Sequence, residues 1–305
     1  MTTQFTQQIF SSTYKDDFKD SDSYHRILFN SGRALQAREL TQLQTIIQAE
    51  MERLGRHLFK EGAAINPGGV MVNNQYEFIK LDSTVNPLPP EASELVGVEL
   101  TTTGGIIVEV LEAIDADGND PATLYVRYIS TTSGISSDQP IRVAPSDNLT
   151  AAGYTFTIQA TNTIANPAVG KGTKAYIHGG DFFTQGHFVF AAQQSAIISK
   201  YTTTPSVDIG FKVEQFIVTT ADDVELFDNQ GATPNLSAPG ADRYQIKLTF
   251  STRTDIANDE NFVYVAKVVD GQIGSQVTGV DDYNKINDVM AIRTKEESGN
   301  YIGGN

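Results

Sequence analysis

A chain of 305 residues without a single cysteine can bury a sizeable core, yet it can hold no disulfide, iron–sulfur cluster or cysteine-based zinc site. Its 40% apolar and 19% charged content is that of a folded protein rather than a disordered one. Acidic residues outnumber basic ones by 37 to 22, and the resulting formal charge of −15 repels phosphate backbones and anionic lipid, so neither nucleic acid nor a membrane is an expected partner.

Residues 1 to about 30 are polar and aromatic without a helical period, and "YKDDFKDSDSYHRILF" reads as an extended arm. The opening "MTTQFTQQIFSSTYKDD" has neither the basic flank nor the apolar run of a secretory signal, and nowhere does the chain approach the ~20 apolar residues that span a bilayer. The expectation is a soluble protein made in the cytoplasm, where the sequons at Asn148 and Asn235 carry no glycan.

The first strong element is "ALQARELTQLQTIIQAEMERLGRHLFKEG". Ala37, Leu40, Leu43, Ile47, Met51, Leu54 and Leu58 recur at steps of three and four, which predicts one apolar stripe on a long amphipathic helix. Glu52 and Arg56 stand in the favourable order four apart, and Gly62 is the predicted stop. Two placements suit such a stripe: against the protein's own sheet, or against copies of itself along a symmetry axis.

Beyond Ala64 the chain reads as strands and turns. "GVELTTTGGIIVEVLEAI" and "TLYVRYIS" flank the hairpin loop "DADGNDPA", and "GYTFTIQATNT" ends a segment able to close into a small barrel or sandwich. "NPAVGKG" reads as a connector and "HGGDFFTQGHFVF" as a turn between two strands. "VDIGFKVEQFIVTT", "RYQIKLTF" and "NFVYVAKVVDGQI" read as further strands. In the last segment Asp281 or Asp282 caps a short helix with Ile286, Val289, Met290 and Arg293 on one face. The fold expectation is mainly β (α+β). Residues 1–63 form an arm and helix for attachment and oligomerisation, 64–91 with 166–280 the main β domain, 92–165 an inserted small barrel or sandwich, and 281–305 a helix and tail.

The long stretch "LFDNQGATPNLSAPGADRYQIKL", Leu226 to Leu248, lies between two predicted strands and is held by Gly231, Pro234, Pro239 and Gly240. It either caps the β domain or contacts a neighbouring subunit, or else only satisfies its own backbone. Asp242 and Arg243 stand where it re-enters a strand and are expected to form an ion pair there.

Candidate chemistry is sparse. Asp115, Asp117, Asn119 and Asp120 have calcium-loop composition without its spacing, since Gly118 comes early and no Glu closes the loop. His178, Asp181 and His187 surround one turn and supply a two-His, one-carboxylate set, although turn histidines are more often structural. His25 and His57 read as surface or packing residues. "GKGTK" at Gly170–Lys174 lacks phosphate-loop spacing, and the carboxylate pairs Asp222–Asp223 and Glu296–Glu297 are adjacent in sequence, which is not how acid/base pairs are displayed. No catalytic residue, metal or cofactor is expected.

Three stretches carry a resemblance: "YHRILFNSGRALQARELTQLQTIIQAEMERLGRHLFKEGAAINPGG" (Tyr24 to Gly69), "LFDNQGATPNLSAPGADRY" (Leu226 to Tyr244) and "VMAIRTKEESGNY" (Val289 to Tyr301). Together they resemble the tailed-phage virion proteins, of the myovirus and cyanophage type, that carry a large N-terminal domain of unknown function at the head of tail-fibre and baseplate-associated proteins. The resemblance implies a mainly β structural protein of the tail, a homotrimer fixed by its arm and helix to other tail or baseplate proteins, with a host-surface receptor reached through a fibre. In that family the last segment leads into further sequence, whereas this sequence stops at Asn305, either as a short, adaptor-like member or with a C-terminal portion missing. Attachment is therefore expected rather than host recognition.

The leading expectation is a non-catalytic baseplate or tail-fibre adaptor in the virion, assembling by surface burial through Leu40, Leu43, Ile47, Met51, Leu54 and Leu58, with Tyr24, Arg33, Arg38, Asp242 and Arg243 as further interface candidates. The alternative is a receptor- or glycan-binding module, which the absence of Trp disfavours. A glycan-degrading enzyme would need a cleft with paired carboxylates.

Overall fold

In the computed structural model the described residues are 10, 13–82, 92–118, 120–131, 142–151, 154–160, 163, 166–228, 233, 235–255, 261–277, 290 and 292–294. One long helix, α1 (Ala37–Leu58), precedes the strands. In chain order these are β1 (Ala64–Asn66), β2 (Val70–Lys80), β3 (Glu99–Thr102), β4 (Ile106–Ile114), β5 (Thr123–Thr131), β6 (Asn148–Ala151), β7 (Tyr154–Thr157), β8 (Val169–Ile177) and β9 (Gly180–Thr184). They continue with β10 (His187–Ala191), β11 (Gln194–Ser199), β12 (Val207–Val218), β13 (Phe227–Asp228), β14 (Asn235–Pro239), β15 (Arg243–Thr252), β16 (Phe262–Val269) and β17 (Gln272–Gln276). The protein is mainly β, and every strand pair among the described residues is antiparallel.

The sheets are open. The largest has eight strands in the order β11-β8-β2-β5-β4-β3-β6-β7, beside a four-stranded sheet β15-β12-β16-β17, a three-stranded sheet β1-β9-β10 and the β13–β14 pair. Strands from segment 92–165 are thus hydrogen-bonded into the same sheet as β2 and β8. Their far end is tied back by one isolated bridge, Leu81 to Ile158, with Asp82 N–H donating to Thr157 O at 2.8 Å and Gln159 N–H to Lys80 O at 2.9 Å.

Strand β2 is long enough to serve two cores. Its far end supplies Ile79, which with Leu81 packs against Leu100, Val108, Val110, Leu124, Leu149 and Phe156. Its near end supplies Val70 to a second core, in which β9 and β10 pack Phe182 and Val189 against Ile209, Phe211, Phe250 and Val265 of the four-stranded sheet. Between them lies an aromatic seam where Tyr76 stacks on Tyr125 at 4.9 Å and Phe78 meets Tyr201 at 5.0 Å. Burying each such large side chain contributes roughly 1.5–3 kcal/mol.

Several turns differ from the sequence expectation. "GVELTTTGGIIVEVLEAI" is two strands, β3 and β4, split by a turn in which Gly105 takes φ +81° and donates to Thr102 O at 2.9 Å. "HGGDFFTQGHFVF" contains a whole strand, β9. The reversal comes at Gln185 and Gly186, both at positive φ (47° and 81°), as a two-residue hairpin turn requires. "NPAVGKG" is no connector beyond Ala168, because β8 begins at Val169. The helix stops at Leu58 with an extended Phe59 as its cap, and Gly62 instead makes the following turn at φ +81°, its N–H donating to Phe183 O at 2.8 Å. Most of the predicted C-terminal helix (281–289) and Glu296–Glu297 lie outside the described residues. Met290 and 292–294 are helical, with the Thr294 hydroxyl donating to Met290 O at 2.8 Å.

Candidate interaction surface

The N-terminal arm and α1 form one unit on the body. The helix opens with a reciprocal cap, in which Gln36 N–H donates to Glu39 Oε2 at 3.0 Å and the Gln36 side chain accepts from the Glu39 backbone. Its contact with the body is made by Gln48, Glu52 and Gly55, in steps of four and three. Gln48 Nε2 donates to Gly186 O at 3.0 Å, and Glu52 packs against Gly186 at the β9–β10 turn. Gly55 is buried, and a Cβ there would stand 2.4 Å from the Phe183 ring, so only glycine lets that ring meet the helix backbone. Phe59 completes the contact, its ring 6.1 Å from Phe183 and 5.8 Å from Phe188.

The arm covers the adjoining flank. Asp16, itself buried, accepts from the Thr45 hydroxyl. Asp17 pairs with Arg38 at 3.2 Å and accepts from Gln42 at 3.1 Å, Asp20 pairs with Arg53, and His25 lies 3.4 Å from Glu50. Ile46, 3% exposed, is covered on this side. With the two flanks taken, the apolar stripe faces outward: Leu40, Ile47, Met51 and Leu54 are 45%, 51%, 45% and 61% exposed, while Leu43 and Leu58 are half-buried. Tyr24 (58%), Leu28 (75%), Phe29 (55%) and Leu35 (57%) of the segment leading into the helix are exposed as well. Arg33 is exposed beside a turn closed by its N–H to Asn30 O at 3.3 Å. Amphipathic helices ordinarily bury their apolar face, so this one is inverted relative to its own body.

Below the arm lies a cleft of about 810 Å³ between arm, helix and the loop entering β15, with Phe10, Tyr14, Gln48, His187, Ile217 and Tyr244 among its walls. Here the predicted ion pair between Asp242 and Arg243 is replaced. Asp242 accepts from the Tyr14 hydroxyl at 2.6 Å, and Arg243 donates to the carbonyl of Ala241 at 2.7 Å. The hydrogen bond to Asp242, with burial and the carboxylate charge adding to it, pushes the Tyr14 phenol up to about 12. Burial pushes Tyr244 up to about 12 and lowers the pKa of His187, whose ring lies 5.9 Å from that of Tyr244. The Tyr244 hydroxyl is buried without a hydrogen-bond partner. The 226–248 stretch is itself partly strand, since β13 pairs with β14 and Gly240 N–H donates to Leu226 O at 2.9 Å; residues 229–232 and 234 lie outside the described set.

The other candidate groups are not brought together. Asp181 pairs with Phe190 in the hairpin, His178 N–H donates to Gly69 O at 3.0 Å, and His187 faces Tyr244. No group of three metal-binding side chains occurs among the described residues. Asp117 and Asp120 close the hairpin with bonds of 3.0 and 2.9 Å, Asp115 accepts from Ala92 N–H, and the Asp120 carboxylate turns to Lys200 and Tyr201. "GKGTK" lies within β8, where Lys171 pairs with Glu77 at 3.6 Å and Lys174 with Glu112 at 2.5 Å. Asp222 and Asp223 cap turns, accepting from Thr219 N–H at 3.0 Å and Glu225 N–H at 2.9 Å. No helix among the described residues is long and apolar enough to cross a membrane.

Sequence reasoning missed the arm anchors Tyr14, Asp16, Asp17 and Asp20 and the body-facing row of the helix. The row's signal was present, because Gln48, Glu52 and Gly55 repeat at helical spacing just as the apolar stripe does. The arm anchors gave none beyond an acidic run opposite Arg38 and Arg53.

Neither a curated protein nor a solved structure matches the chain. A family model described as "Domain of unknown function (DUF4815)" matches residues 12–85 and 162–304, taking in the arm, α1 and the sheets around the second core while passing over the strands between. On that match, which covers more than half of its length, the chain belongs to the DUF4815 family.

Proposed function

We propose that this protein is a non-catalytic structural component of a phage tail, a baseplate or tail-fibre adaptor that assembles as a homotrimer and docks on other tail proteins. The observation that carries the reading is the outward apolar stripe of α1, with Leu40, Ile47, Met51 and Leu54 each at least 45% exposed. Burying half-exposed aliphatic side chains yields about 1 kcal/mol each. Three helices brought together would cover twelve of them, four from each copy. Helix stripes shared around a three-fold axis remove an exposure that one copy cannot remove alone. In this reading the virion is the protein's final location, and the resemblance of Tyr24–Gly69 and Leu226–Tyr244 to tail proteins gives the setting.

The test is the solution mass of the chain by light scattering, beside a variant carrying Ile47→Asp and Leu54→Asp. Both side chains are exposed, so the variant keeps its fold. A trimer that becomes a folded monomer supports the reading. A wild-type chain that stays monomeric at tens of micromolar sinks the self-assembly part of it.

A second reading, a receptor- or glycan-binding module, is favoured by one feature: the cleft walled by Phe10, Tyr14 and Tyr244 with an unbonded phenol inside it. Aromatic faces beside hydroxyl and carboxylate groups suit a sugar ring. Binding on a glycan array that is lost in Tyr244→Ala would favour it over the adaptor reading.

A further inference from the structure

The seat of the arm is suited to exchange between copies. Hydrogen bonds and ion pairs joining the described arm to the body come from side chains: Tyr14 to Asp242, Thr45 to Asp16, Arg38 and Gln42 to Asp17, Arg53 to Asp20. The arm's main-chain bonds stay within it, as from Asp16 N–H to Phe10 O at 3.0 Å and from Asp22 N–H to Lys19 O at 3.1 Å. No strand ladder fixes the described arm to its own chain, so an identical arm from another copy meets identical partners.

The connector between arm and helix has the length and exposure for such a crossing. Residues 23–36 are exposed throughout except for half-buried Ile27. Fourteen residues reach about 46 Å when extended, whereas packed helices lie only ~8–10 Å apart. The connector is folded back by two backbone devices: Ser23 in the left-handed region at φ 53°, and the turn at Asn30–Arg33 with Gly32 at φ 80°. Straightening either one swings the arm away from its own helix. Leu28, Phe29 and Leu35 on the connector and the stripe on α1 are two apolar surfaces that neither cover each other nor are covered within one copy.

Resting on the assembly reading above, we propose that in the oligomer the arm of one copy sits on α1 and the 240–244 loop of the next, so that the Tyr14–Asp242 and Asp16–Thr45 bonds form between chains and the connector crosses the stripe. Each cleft is then completed by a neighbour's Phe10 and Tyr14. Exchange of an identical element is a low-cost route to an oligomer, because every hydrogen bond that breaks within a chain re-forms between two chains with the same partners.

A cysteine-free chain makes the test direct. Asp16→Cys and Thr45→Cys are introduced together, the assembled protein is oxidised, and its mass is read under denaturing, non-reducing conditions. Exchange gives bands at two and three times the chain mass. Two singly substituted chains, co-expressed, then give a mixed disulfide. If light scattering finds a trimer but the double variant runs wholly at single-chain mass, the arm stays on its own helix: exchange is overturned while the assembly reading stands. If the wild type is a monomer, both fall. If both thiols titrate free in a folded trimer, the arm is not seated on Thr45 in either way, and exchange is again overturned. Should this variant fail to fold, Asp17→Cys with Gln42→Cys reads the same seat.

Discussion

Lys200 Nζ stands 2.5 Å from Asp120 Oδ2, and the pair joins the hairpin between β4 and β5 to the end of β11, 80 residues away in sequence. Tyr201 donates its hydroxyl to the other oxygen of Asp120, and Thr123 shares that hydroxyl at 3.0 Å. Burial alone would raise the Asp120 pKa, but the hydrogen bonds from Lys200 and Tyr201, with the charges of Lys200 and Lys80, outweigh it and hold the carboxyl below its ordinary value. A carboxylate depressed in the folded state stabilises above its unfolded pKa and loses that contribution as pH falls through the folded one. Asp120→Ala should cost on the order of 1–2 kcal/mol at pH 7 by urea unfolding, and the gap to wild type should shrink below about pH 4. A variant equal to wild type at pH 7 would show that the seam is held by packing alone.

Lys80 next to this seam makes the opposite argument about charge. It is 2% exposed, its ammonium is 2.6 Å from Asn166 Oδ1 and 3.6 Å from the centre of the Tyr201 ring, and burial lowers its pKa against the pull of Asp120. A buried ammonium with an amide partner and an aromatic face is costly to strand but cheap to replace. Lys80→Met should therefore be neutral or slightly stabilising in thermal melts. Asn166→Ala, which removes the acceptor and leaves the charge, should destabilise by roughly 1–3 kcal/mol. The reverse order would show that the charge itself contributes net stability.

Gly55 and Phe183 set helix propensity against packing. Alanine at an exposed helix interior gains about 1 kcal/mol over glycine. At Gly55 the new Cβ would stand 2.4 Å from the Phe183 ring, and that ring is itself hemmed in by Phe59 and by Phe188 at 5.3 Å. Overpacking of this kind costs typically ~1–3 kcal/mol, so Gly55→Ala should lower stability by about 1 kcal/mol net, and Gly55→Leu by more. A rise in melting temperature would mean that the helix rides loosely on the hairpin.

The same helix marks what could be read from sequence. The steps of three and four from Leu40 to Leu58 specify a helix, because periodicity is a local property of the chain. Which face it buries is not local. A sequence with two helical rows, one apolar and one ending at Gly55, gives no reason to prefer the second until Phe183 and Gly186 arrive from more than 120 residues away. The hairpin around Gly118 was legible for a related reason, since Asp and Gly at adjacent positions set the turn, and Asp117 and Asp120 do pair. The reversal at Gln185–Gly186 lies inside the stretch read as a turn, but strand β9 within that stretch was not legible, because the small residues around it read as loop. In the cleft, Asp242 was paired by adjacency with Arg243, whereas its partner Tyr14 is 228 residues away.

Tyr244 provides a last prediction, in alkali. Its hydroxyl is buried without a partner, and burial pushes its pKa up to about 12. Tyr14 and Tyr201 are likewise raised to about 12, Tyr14 chiefly by its hydrogen bond to Asp242 and Tyr201 chiefly by burial. A phenol raised in the folded state keeps its proton while the unfolded chain loses its own near pH 10, so stability is intact below that value and is lost as pH rises from about 10 towards 12. Tyr244→Phe removes both an unpaired buried hydroxyl and one of these titrating groups. It should stabilise the protein by about 1 kcal/mol at pH 7, since deleting an unsatisfied group relieves its desolvation cost. It should also flatten the fall in stability between pH 10 and 12, as read from urea midpoints across that range. A loss of stability at pH 7 would mean that the hydroxyl is bonded in solution, with water or a ligand in the cleft as its partner.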